Sequence, residues 1–137
     1  MTRINSLLAP LGRVLIAALF LTAGFQKISG YEGTAGYMEA MGVPGALLPL
    51  VILLEIGGAL AIMIGWQTRV AASLLAGFTL LSGVIFHADF GDQMQTIMFL
   101  KNIAIAGGFM FLIANGPGAW ALDTRSAAPR PSAIPAE

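Results

Sequence analysis

Hydropathy along the chain falls into four long apolar runs, separated by polar breaks that hold no more than turns or one small helix. The first run, about 10–28, opens on Pro10, which suits a first helical turn, and closes at Ser29-Gly30. The second covers about 45–66, the third about 70–87 and the fourth about 96–114. Each approaches the roughly 20 residues that a helix needs to cross a bilayer's hydrocarbon core. Only Gln67-Thr68-Arg69 separates the second run from the third, which predicts a tight antiparallel hairpin. Between the first and second, Tyr31 to Pro44 is too polar to span. Tyr37, Met38 and Met41 fall there at helical spacing opposite Glu32 and Glu39, which predicts a short helix on the membrane surface. The pattern predicts an all-α membrane protein, a four-helix transmembrane bundle with one interfacial helix, forming a single domain over residues 1–123. The Ala- and Pro-rich end, 124–137, is expected to be a disordered cytoplasmic tail.

Composition narrows the chemistry. The chain is 57% hydrophobic and 10% charged, where soluble domains carry roughly a quarter charged residues. Four spans nearly exhaust 137 residues, so no separate soluble catalytic domain is expected and lipid is the first partner. Seven basic and seven acidic residues cancel, which excludes a basic surface for nucleic acid. Cys is absent and His87 is the single His, which excludes disulfides, thiolate nucleophiles, Cys-ligated iron–sulfur clusters and bis-His haem within one protomer. No nucleotide-binding or nucleophile-elbow motif occurs, because the glycines lie in spans or loops without a strand-turn-helix context. Gly24-Phe25-Gln26-Lys27 makes a poor cleavage site, so the first run reads as an uncleaved helix.

Four spans put both termini on one side of the membrane. Arg3, Arg13, Arg69, Arg125 and Arg130 share that side, and Glu32, Glu39, Asp89 and Asp92 share the other. The positive-inside rule then places both termini in the cytoplasm, with Trp66, Trp120, Tyr31 and Tyr37 near the interfaces. Two ladders of small residues, Gly57, Ala61 and Gly65 in the second span and Ala104 and Gly108 in the fourth, are candidate helix contacts.

Charges inside apolar runs are costly, which makes each one a candidate site. Glu55 lies ten residues into its run, about 15 Å deep, with Lys101 as its first candidate partner and Lys27 as its second. A structural hydrogen bond to a neighbouring helix is the alternative role for Glu55. Lys101-Asn102 sets a cation beside an amide that can both donate and accept, in an otherwise apolar stretch. The alternative for Lys101 is snorkelling to the outer interface. Lys27 follows Arg13 by 14 residues, about 21 Å along the helix, on one face with Ala17, Phe20 and Gly24 that is expected to point inward. Snorkelling and function stand level for Lys27. Arg13 is a secondary candidate, read first as an interfacial anchor. His87 stands at a span end, where it could relay protons or bind a head group. Its spacing from Asp89 and Asp92 matches no standard motif, so no metal site is expected.

The order of these features resembles the DoxX family of small bacterial membrane proteins. The resemblance is carried by Gly12-Arg13, Gly24-Phe25-Gln26-Lys27, Gly42-Val43-Pro44, Glu55-Ile56-Gly57-Gly58, Gly65-Trp66-Gln67-Thr68-Arg69, Phe86-His87, Phe99-Leu100-Lys101-Asn102 and Gly116-Pro117-Gly118-Ala119-Trp120-Ala121-Leu122-Asp123. Ala121 stands where the family often has Ser. The resemblance implies a four-helix protein of the bacterial inner membrane, related to membrane subunits of thiosulfate:quinone oxidoreductase and linked to quinone or oxidative-stress chemistry. The first expectation is therefore a redox-associated subunit, not an enzyme on its own, that works with a protein partner. Lys27, Glu55, His87, Lys101 and Asn102 would line an outer-half pocket for a quinone head group. A non-enzymatic anchor or assembly factor is the second reading, and a small transporter, as a homo-oligomer, is the third.

Overall fold

A computed structural model of the chain describes residues 2–127. Its elements in order are α1 (Arg3–Ser29), α2 (Tyr31–Ala40), a 3₁₀ turn (Gly45–Leu47), α3 (Leu48–Ile64), α4 (Thr68–Phe86), α5 (Gln93–Asn115) and α6 (Leu122–Ser126). Among the described residues, four helices are long and apolar enough to cross a membrane: Arg3–Ser29, Gly45–Ile64 with its opening 3₁₀ turn, Thr68–Phe86 and Gln93–Asn115. The chain is thus an all-α membrane protein with four spans. The short helix expected between the first two spans is α2. Residues 128–137, most of the expected tail, lie outside the described residues, and the boundary drawn at 123 falls inside α6.

The helix ends follow local chemistry. The first helix begins at Arg3, seven residues before the expected start, and carries Pro10 inside it. That proline lacks the N–H that would bond back one turn, a loss membrane helices tolerate. At the turn of the α3–α4 hairpin, Gly65 (φ 71°) ends α3 with Trp66 N–H donating to Ala61 O at 2.9 Å and Gly65 N–H to Ile62 O at 3.2 Å. These bonds form a Schellman motif, which needs a residue that accepts positive φ. The first N–H groups of α4 are capped from afar: Gln67 and Thr68 donate to the two oxygens of Asp123, at 2.9 and 2.8 Å. Asp92 caps α5 through Met94 N and Gln95 N.

Helix α1 packs along α3, α3 along α4 and α4 along α5. The circuit closes through side chains, with the Phe20 and Phe109 rings 5.4 Å apart between α1 and α5. The buried face of α1 is Arg13, Ala17, Phe20 and Gly24, the stripe its spacing predicts. The small-residue ladders are contacts only in part. A Cβ at Gly57 would meet nothing within 4 Å, and Ala104 is exposed. Close approach falls at two ladder members, Gly65 against Ala121 and Arg13 and Gly108 3.2 Å from Ile16 Cδ1, and also outside the ladders at Gly24, where a Cβ would lie 2.5 Å from Ile56 Cγ1, at Gly58 against Leu75, and at Gly83, 3.2 Å from Asn102 Nδ2. Helix rotation, which composition does not encode, decides which glycine faces a neighbour.

Candidate functional site

Two polar centres sit at opposite ends of the bundle. At one, Arg13 is only 1% exposed and its guanidinium donates to four carbonyls. The bonds run to Ala119 O and Trp120 O at 2.9 Å, Met63 O at 3.1 Å and Ile62 O at 3.5 Å. Five N–H donors on a rigid fork suit this task, and the result ties α1 to the end of α3 and to the segment after α5. Asp123 joins the same knot through its carboxylate and through its own N–H, which donates to Gly65 O at 2.9 Å. Burial alone would raise the Asp123 pKa, but the N–H groups of Thr68 and Gln67 and the charge of Arg13 hold it below the ordinary carboxylate value. The expectation of Arg13 as an interfacial anchor is corrected here: it is a buried clamp. The cause is its place on the inward stripe of α1, where lipid and water are both out of reach.

At the other end, Lys27 Nζ donates to Glu55 Oε1 at 3.0 Å, the one ion pair among the described residues. Gly24 makes the pair possible. It lies one turn before Lys27 and lets α1 sit directly on α3, with Glu55 Cβ only 3.5 Å from where a side chain would begin. The Glu55 side chain is 4% exposed and that of Lys27 is 26% exposed. Glu55 Oε2 is buried with no hydrogen-bond partner.

The pair forms part of the wall of a cavity of about 590 Å³, within the 300–1,000 Å³ typical of small-molecule sites. His87 and Asn102 also line it, so four of the five principal candidates share one chamber. Lys101 does not. Asn102 faces α4, donating through Nδ2 to Thr79 O at 3.0 Å and Ser82 Oγ at 3.3 Å. Lys101 is one residue earlier, turned about 100° round the helix, and is exposed. Lys27 therefore replaces Lys101 as the partner of Glu55.

Several lining residues carry no charge and escaped the sequence reading. Gln26, Thr34, Tyr37, Thr79 and Ser82 all face the cavity. Thr79 and Ser82, three apart in an apolar run, were a visible signal, whereas Tyr37 reaches the site only because α2 folds back over it. Its ring stacks on Phe86, with centroids 5.3 Å apart and planes at 29°. At the mouth, His87 Nδ1 lies 2.8 Å from Gln95 Oε1, joining the ends of α4 and α5. The rim includes Leu19, Leu47 and Leu81, which are 50%, 44% and 60% exposed. In a bilayer these leucines meet hydrocarbon.

The fold and the chamber define a small four-span membrane protein with a ligand-sized, mainly apolar cavity that carries a few polar groups at one end of the bundle. The chain belongs to the DoxX family, whose model matches residues 8–88, a stretch that includes α1 to α4 almost whole and three of the five principal candidate positions, Lys27, Glu55 and His87. It is similar to the inner membrane protein YqjF of Escherichia coli strain K12, at 56% identity over 111 residues, 81% of this chain and 85% of YqjF. Inner membrane protein YphA of the same organism is 37% identical over 122 residues, 84% of this chain and 87% of YphA. A shorter likeness, 29% over 73 residues, covers 53% of this chain and 54% of CatD of Bacillus subtilis, a protein provisionally named an oxidoreductase. No solved structure matches the chain.

Proposed function

We propose that this protein is a redox-linked subunit of the bacterial inner membrane whose cavity binds the head group of a lipid-soluble quinone. The observation that carries the reading is the buried Lys27–Glu55 pair in the cavity wall, with Glu55 Oε2 left without a partner. A buried acceptor lacking a hydrogen bond is costly, and a ring ligand of the quinone couple relieves the cost through the O–H groups of its reduced form. The leucine rim supports the same reading, because it offers an apolar tail a way out to lipid. The name of CatD adds a redox association.

In this reading, Lys27 uses one of its three N–H donors on Glu55 and has others for a ring oxygen. Glu55 holds its position through Lys27 and presents Oε2 to the ring. Asn102 is fixed against α4 and contributes from the opposite wall. Phe20, Phe78 and Ile105 surround the ring plane with apolar surface and keep water out. A quinone, when bound, supplies two-electron, two-proton chemistry, and a partner subunit delivers the electrons, since Cys is absent and His87 is the single His. His87 also lines the cavity, where its imidazole is placed to pass protons to or from a bound ring. Both termini are assigned to the cytoplasm: Arg3, Arg69 and Arg125 share one end of the bundle, and Glu32, Glu39, Asp89 and Asp92 the other.

Titration of purified protein with a short-tailed ubiquinone tests the site. Lys27→Ala removes the donor to a ring oxygen and is expected to weaken binding about tenfold or more, while Lys101→Ala, outside the cavity, leaves it unchanged. Equal binding by Lys27→Ala and the parent removes the proposal. Reporter fusions at each terminus test the orientation, and an external signal from either one overturns that assignment.

A further inference from the structure

The fixed polar groups of the cavity are not evenly divided between donors and acceptors. On the α4–α5 wall, Thr79 Oγ1 donates to Leu75 O at 2.6 Å and Ser82 Oγ donates to Thr79 O at 3.1 Å. A hydroxyl carries one hydrogen, so neither has a donor left for a ligand. The amide of Asn102 faces Thr79 O at 3.0 Å. A carbonyl only accepts, so the atom there is the amide nitrogen, and its second contact, Ser82 Oγ, also lies on α4. What Asn102 has left to offer is Oδ1, an acceptor that takes no hydrogen bond among the described residues. On the α3 wall, Glu55 Oε2 is a second unpartnered acceptor, on a side chain that is 4% exposed. The donors that remain are at Lys27 and Gln26 on α1 and at Thr34 and Tyr37 on α2, towards the mouth.

We infer that the cavity selects the reduced, hydroxyl-bearing form of its ring ligand, an aromatic ring with two free O–H groups, over the corresponding quinone, an inference that rests on the cavity taking a quinone-type head group. Ring hydroxyls donate to Glu55 Oε2 and Asn102 Oδ1 and satisfy both walls. Quinone carbonyls only accept, so against the same walls they leave protein and ligand oxygens unpaired. Sites built to hydrogen-bond a ligand O–H discriminate strongly against analogues that lack it.

The test compares a short-tailed ubiquinol, kept reduced under anaerobic conditions, with the matching ubiquinone on the same purified protein. The parent is expected to bind the quinol at least about tenfold more tightly. Glu55→Gln puts an N–H₂ where an acceptor stood without changing shape, and it is expected to lower the quinol preference about tenfold. Asn102→Leu, checked for an intact thermal transition, is expected to lower it as well. Equal affinities for the two forms in the parent, or a preference unchanged in Glu55→Gln, overturns the inference while leaving quinone binding in place. If neither form binds, the quinone reading is removed too. A tailless hydroquinone separates two sources of the same chemistry: binding as tight as the tailed quinol's supports a water-soluble phenol, and binding that requires the tail supports a membrane quinol.

Discussion

Replacing Gly24 by Ala tests how the fold builds the site. The new Cβ would lie 2.5 Å from Ile56 Cγ1 and 3.2 Å from its Cδ1. Ile is β-branched and stiff at χ1 in a helix, so Ile56 cannot swing clear and α1 must move outward by about 1 Å. Overpacking of this kind costs about 1–3 kcal/mol. The same shift stretches the Lys27–Glu55 pair from 3.0 Å towards about 4 Å, weakening it by about 1.4 kcal/mol at an effective dielectric of about 20. Because Lys27 is 26% exposed, solvent trims that second effect to about 1 kcal/mol. Up to about 1 kcal/mol returns from the better helix propensity of Ala. The net expectation is a loss of about 1–3 kcal/mol in reversible unfolding of the detergent-solubilised protein, together with weaker quinone binding. Gly57→Ala and Gly77→Ala meet no atom within 4 Å, so they are expected to be neutral or to gain up to about 1 kcal/mol. Ile56→Ala in the Gly24→Ala background is expected to recover the ion pair and the binding. A Gly24→Ala protein as stable as Gly57→Ala, with binding intact, refutes the reasoning.

Other consequences follow at the Arg13 end. Arg13→Met keeps the stem but removes three hydrogen bonds of 2.9–3.1 Å and one of 3.5 Å; after allowing for relief of the buried charge, the loss is expected at about 2–4 kcal/mol, with faster amide exchange at Gly65 and Asp123. Arg13→Lys, with three donors at one point, is expected to recover only part of it. The Asp123 carboxyl titrates below its unfolded value, so its contribution is complete above the unfolded pKa and is lost as pH falls through the folded one. Thermal stability of the parent is therefore expected to drop on acidification below about pH 4, and Asp123→Asn, about 1 kcal/mol weaker at neutral pH, to show a shallower drop there.

Much of the fold was legible because membrane helices announce themselves by length and hydropathy, and the short helix after the first span by its spaced apolar residues. The inward stripe of α1 was legible for the same reason: Arg13, Ala17, Phe20 and Gly24 repeat at helical spacing. Rotation of the other helices was not. Lys101 and Asn102 are neighbours in sequence, yet one is exposed and the other bonds α4, and only packing at Gly83 decides which. Arg13 was misread because a span end next to a polar segment looks like an interface, and nothing local shows that the chain after α5 returns to cover it. The clamp's other half, Asp123, sits 110 positions away from Arg13 in the chain.

Photolabelling in native membrane vesicles with an azido-quinone, followed by peptide mapping, tests the central claim most directly. Label is expected on the segments that line the chamber, from Leu19 to Lys27, Val51 to Glu55 and Phe78 to His87, and to be competed away by unlabelled quinol. Label spread evenly over the lipid-facing surface, or insensitive to that competition, contradicts a quinone site beside Lys27 and Glu55.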